Sequence, residues 1–138
     1  MEFQRVFSKA PWETQVGYCR ALRDGAHIYV TGTAPVDEAG TGVHAVGDAS
    51  AQARRCLELI ERALRQLGAD RTCVVRTRMF VTDIARWAEY GRAHAEFFAG
   101  HPPATTMVEV RRLIHEDMLI EIEADAVASS DDAGNSDP

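Results

Sequence analysis

The last apolar stretch of the chain carries an acid at every second position. Glu121, Glu123 and Asp125 alternate with Ile120, Ile122 and Ala124. Strand side chains point to opposite faces in turn, so the three acids share one face. A carboxylate held there can orient and polarise a water molecule, which is general-base work; the commoner fate of such a face is contact with solvent. Near the start, Tyr18 and Arg20 share a strand face by the same rule, with Cys19 between them. Cys19 is a nucleophile by type, yet no histidine is visibly paired with it, and a strand cysteine more often packs. His27, His44, His94, His101 and His115 show no HExxH or other ligand spacing, and His115-Glu116-Asp117 reads as a turn. Neither a Gly-rich phosphate loop nor a GxSxG elbow is present. Metal and cofactor are not expected.

Composition frames these residues. The chain has 138 residues, 46% apolar and 26% charged, which is ordinary for one globular domain. A domain of this size buries about two thirds of its unfolded surface. Three widely spaced cysteines give no disulfide framework. The net charge is −6, of which Asp131, Asp132 and Asp137 supply half, so nucleic acid is not a favoured partner. No apolar run approaches the ~20 residues that span a bilayer, and the opening residues do not read as a signal peptide; a cytoplasmic protein without membrane partners is expected.

The elements that must position the acids follow from periodicity. Extended segments are predicted at 3–7, 18–23 and 27–30, with Asp24-Gly25 as a hairpin turn. Residues 32–47 read as a loop. Asp48 caps a helix that Gly68 stops, with Ala53, Cys56, Leu57, Ile60, Ala63, Leu64 and Leu67 as its apolar stripe. A strand at 72–82 is expected to bury Val75, Thr77, Met79 and Val81, opposite Arg76, Arg78 and Phe80. A helix at 84–98 and strands at 106–113 and 118–127 complete an α+β sheet with two helices on one face. The domain is expected to span 1–127, followed by a disordered acidic tail at 128–138.

Gly17-Tyr18-Cys19-Arg20-Ala21 and Ile28-Tyr29-Val30-Thr31-Gly32-Thr33-Ala34-Pro35 are followed in order by Leu67-Gly68-Ala69 and Phe80-Val81-Thr82-Asp83. Then come Pro103-Ala104-Thr105-Thr106-Met107-Val108-Glu109-Val110 and Ile120-Glu121-Ile122-Glu123-Ala124-Asp125-Ala126. Over residues 17–126 this ordered set resembles the RidA/YjgF family. The resemblance implies a mixed six-stranded sheet of chorismate-mutase-like fold, in a homotrimer whose sheets form a central barrel and whose ligand clefts lie between subunits. The best-studied members hydrolyse reactive imines and enamines such as 2-aminoacrylate, without metal or cofactor.

By the same resemblance Glu121 is the water-associated glutamate, Tyr18 the cleft tyrosine, and Thr31-Gly32 the cleft wall. Thr105 stands where those enzymes grip the substrate carboxylate with an arginine. Met107 stands where a cysteine is common. Gly91 replaces a polar residue on the second helix, beside the aromatic Trp87. Threonine donates one neutral hydrogen bond, whereas arginine offers a charged fork. Arg20, sharing a face with Tyr18, and Arg111, sharing a face with Thr105 and Met107, are the substitute anchors for a small-molecule substrate. The resulting expectation is water addition to an imine, an enamine or a related intermediate, with backbone groups near Gly32 and Met107 stabilising developing charge. The alternatives are a non-catalytic ligand-binding trimer of the same fold and, third, ribonuclease or translation-inhibitor activity.

Overall fold

The computed structural model describes residues 2–129. Its strands are β1 Gln4–Val6, β2 Ala21–Asp24, β3 His27–Thr33, β4 Val74–Val81, β5 Ala104–Glu109 and β6 Ile120–Val127, with helices α1 Ala49–Gln66 and α2 Trp87–Phe97. They form one sheet in the order β1-β2-β3-β6-β4-β5. Every pairing is antiparallel except β4 with β5. This is the expected mixed six-stranded α+β sheet.

Local chemistry explains the main elements. Gly25 takes a positive φ of 60° in the β2–β3 turn, a conformation glycine adopts without steric cost. Asp48 accepts the Ala51 N–H at 3.0 Å to cap α1, and Gly68 at φ 80° ends it. The α1 stripe, with Cys56, Leu57, Ile60 and Leu64 buried, covers Ile28, Val30, Ile120 and Ile122 of the sheet. Burying each of the larger side chains contributes about 1.5–3 kcal/mol.

Three boundaries differ from the sequence reading. In β4 a register shift falls between Val74 and Arg76. The irregularity breaks the strict alternation of side chains, so Val74 enters the core and Val75 is left 47% exposed. Thr77, Met79 and Val81 are buried as expected. β5 starts at Ala104 and ends at Glu109 rather than running to residue 113, because its partner β4 ends at Val81. Val110 N–H to Val81 O, at 2.8 Å, is the last link between them. At the chain end, Ala128 is buried and donates to Ala26 O at 2.8 Å, so it belongs with the sheet and not with the expected tail. Residues 130–138, the rest of that tail, lie outside the described residues.

The helices leave one sheet face uncovered, with Tyr29, Arg78, Glu123 and Asp125 on it. Arg78 crosses from β4 and reaches Glu123 at 3.1 Å and Asp125 at 3.3 Å. Two of the three alternating acids thereby share one arginine. Glu121 is the third.

Candidate active site

Glu121 is placed by the meeting of β6 with an irregularity in β3. Val30 pairs with Ala124 and Thr33 with Ile122, so three steps on β3 oppose two on β6. A bulge of this kind re-aims the strand next to it. Thr31 and Gly32 lie in the bulge, and the Glu121 carboxylate lies against Gly32. A Cβ added to Gly32 would overlap Glu121 Oε2 and sit 3.2 Å from its Cδ. Glycine is required here for space: its φ is not among the positive ones.

No residue among those described hydrogen-bonds to or ion-pairs with the half-buried Glu121 carboxylate. Burial lifts its pKa above the ordinary carboxylate value, with the Arg20 charge opposing the shift and Glu123 adding to it. A carboxylate in that state is a stronger base than a solvated one, with lone pairs available for water.

Glu121 opens into a cavity of about 760 Å³, whose polar end also presents Tyr18, Arg20, Thr31 and Gly32. Phe7, Trp12, Val16, Leu59 and Ile114 supply apolar wall. Five of the expected site residues are thus brought together. Arg20 lies 5.7 Å over the Tyr18 ring and donates from Nη1 to Gly32 O at 3.0 Å. Its Nε and Nη2 both go to Glu13 Oε2, at 3.2 and 3.1 Å. Glu13 is itself buried and accepts from the Ser8 backbone N–H at 2.9 Å and from the Ser8 hydroxyl.

Thr105, Met107, Trp87 and Arg111 do not line this cavity. The sheet order explains it: β4 stands between β6 and β5, so the edge strand cannot reach Glu121 within one subunit. The Thr105 hydroxyl faces inward instead. It donates to Thr77 O at 3.2 Å and accepts from Thr77 Oγ1 at 2.7 Å. Thr77 Oγ1 lies 2.8 Å from His94 Nε2 on α2. With the Thr77 proton committed to Thr105, His94 must donate from Nε2. Burial lowers the His94 pKa, favouring the neutral ring. Met107 is half-buried against the core, while Trp87 and Arg111 are exposed.

Sequence reasoning missed Glu13, Thr77 and His94. Nothing in the sequence pairs Glu13 with Arg20, because the pairing depends on a single-turn π-helix, Glu13–Gly17, that turns the acid inward. Thr77 shares a strand face with Met79 and Val81, as expected, but its partners lie 17 and 28 residues away.

A mixed sheet with α1 and α2 on one side, and an unpaired glutamate held over a glycine in a bulge, defines a small α+β protein with one polar-ended, apolar-walled site. The family model described as Endoribonuclease L-PSP matches residues 7–128. A RutC family protein of Pyrococcus abyssi is 36% identical over 107 residues, covering 78% of this chain and 83% of that protein. Among solved structures, a Mycobacterium tuberculosis member of the YjgF/YER057c/UK114 family is 44% identical with a TM-score of 0.82, covering 92% of this chain and all of the other. The E. coli YjgF gene product is 32% identical with a TM-score of 0.78, covering 91% and 99%. The chain belongs to the endoribonuclease L-PSP family, the RidA/YjgF family that its motifs resemble.

Proposed function

We propose that the protein is a cytoplasmic homotrimer that adds water to an imine, or to the imine tautomer of an enamine, in a cleft completed between subunits. The observation that carries this reading is the unpaired, half-buried Glu121 carboxylate over Gly32. Glu121 accepts a proton from a water molecule as the water oxygen attacks the C=N carbon. Glu121 hands that proton to the imine nitrogen, giving a carbinolamine. The carboxylate, free again, takes the carbinolamine hydroxyl proton and passes it to the amino group, which leaves as ammonia as the carbonyl forms. Tyr18 and the Thr31-Gly32 backbone border the reacting group. The exposed edge strand β5, with Thr105 and Met107, forms the opposite wall from a neighbouring copy, and Trp87 and Arg111 lie at its margin. Such an assembly also covers the open sheet face, where half-exposed Tyr29 and Val127 sit beside the Arg78 ion pairs.

One observation favours the second reading, a ligand-binding trimer without turnover: the Thr105 hydroxyl is held inside its own subunit and presents no charge to a substrate. Both readings are tested by generating a carboxylate-free imine in situ with an amine oxidase and following its decay with semicarbazide. Acceleration by the unaltered protein and a loss of about 100-fold or more in Glu121→Gln, with the trimer intact in sedimentation, is the expected result. Equal decay rates for the two proteins refute the mechanism. Saturable ligand binding with no acceleration selects the binding protein.

A further inference from the structure

We infer that Glu13 sets the substrate class of this site: by occupying Arg20 it removes the cation nearest Glu121 from ligand binding, and so selects imines that lack a carboxylate. The inference rests on the imine reading above and extends it to the substrate.

Arg20 is the arginine at the polar end of the cavity, and its position suits a carboxylate anchor. Its bonds do not. Nε and Nη2, the edge that would form a fork, are both given to Glu13, and Nη1 is given to Gly32 O. The pair is deeply placed, with the Glu13 side chain only 3% exposed and that of Arg20 12%. Glu13 is fixed in turn by Ser8 and by the π-turn, which Tyr18 N–H closes onto Glu13 O at 3.0 Å. Single π-turns are uncommon and concentrate at functional sites. This one puts an acid behind the arginine that lies beside the reacting carboxylate.

The same pattern recurs in the rest of the cavity. Arg55 is held by Glu38 at 2.7 Å and by Val36 O at 2.8 Å, and Arg62 by Glu38 at 3.1 Å. Every arginine lining the cavity thus has a carboxylate partner before a ligand arrives, Glu38 serving two of them, and Lys9 is an exposed residue of the wall. At the polar end the Glu121 carboxylate has no hydrogen-bond or ion-pair partner among the described residues. A substrate carboxylate entering there meets a like charge, and the guanidinium beside it is already engaged. A neutral imine or its protonated iminium meets no such barrier, and the iminium is attracted. The apolar wall of Phe7, Trp12, Val16 and Ile114 suits an apolar substituent on the imine carbon.

The test uses carbonyl analogues, whose binding is read by calorimetry or ligand-observed NMR without turnover. In the unaltered protein, methyl pyruvate is expected to bind at least about 10-fold tighter than pyruvate; tighter pyruvate overturns the inference. Glu121→Gln removes the internal competitor for Arg20. Adding Glu13→Gln to it frees the guanidinium, and pyruvate affinity is expected to rise about 10-fold over Glu121→Gln alone. That gain must vanish when Arg20→Gln is added. An unchanged pyruvate affinity overturns the assignment of Glu13. If the Glu13 variants fail to fold, the ester-against-acid comparison in the unaltered protein still decides. Ester preference without imine decay sinks the reaction proposed above and leaves the binding inference standing; decay without the preference does the reverse.

Discussion

Gly32→Ala adds one methyl group and isolates the contact on which the proposed chemistry depends. The backbone at Gly32 tolerates alanine, since its φ is not positive. The added Cβ overlaps the end of the Glu121 side chain, which supplies its three nearest atoms. To reach an ordinary non-bonded distance the carboxylate oxygen must retreat by about 1 Å. A side chain displaced from its rotamer by that much costs about 0.5–1.5 kcal/mol, which lowers the Tm of a domain of this length by about 2–6 °C. The effect on rate is larger, because a misplacement of about 1 Å removes about 100-fold of catalysis that depends on orientation. The measurement is imine decay at matched protein concentration, with thermal melts in parallel. In a Glu121→Ala background those nearest atoms are gone, so Gly32→Ala should then leave stability unchanged within about 0.5 kcal/mol. Full activity in Gly32→Ala, or the same loss of stability in both backgrounds, refutes the placement of Glu121 against Gly32 as the reason for the site.

Glu121 also makes a pH prediction. Its folded pKa is raised, so the unfolded chain releases this proton first, and ionised Glu121 opposes folding. The protein therefore loses stability as pH rises from the ordinary carboxylate range through the raised value. Glu121→Gln is expected to melt higher than the unaltered protein near pH 7 and level with it near pH 4; thermal melts across about pH 4–7 check the sign. Thr77→Val strands the buried His94 N–H and removes one of the two bonds of the Thr105 hydroxyl, which keeps the carbonyl of residue 77. A loss of about 1–3 kcal/mol in denaturant titration is expected, and an unchanged midpoint would show that the His94–Thr77–Thr105 chain contributes nothing.

Periodicity and turn chemistry fixed most of the fold in advance. The Asp24-Gly25 hairpin, the Asp48 cap, the α1 stripe and the alternation along β6 each depend on residues close in sequence, where local geometry leaves few options. The ordered motifs from Tyr18 to Ala126 carried the family, which the match over residues 7–128 shows. Within the site, Tyr18, Arg20, Thr31, Gly32 and Glu121 were all named from the sequence and share one cavity.

Tertiary structure decided what the sequence left equivalent. Glu121, Glu123 and Asp125 are one repeating pattern in the chain, yet only the latter two lie within reach of Arg78, so the third is left unpaired. Whether β4 buried Val74 or Val75 depended on a register shift set by the neighbouring strand. The Thr105 hydroxyl is bonded to Thr77, which in turn meets His94, and the Arg20 guanidinium is bonded to Glu13. In each case a charge or hydroxyl has a fixed identity in the sequence but an availability set by its nearest partner. That partner is chosen by chain crossings the sequence does not display.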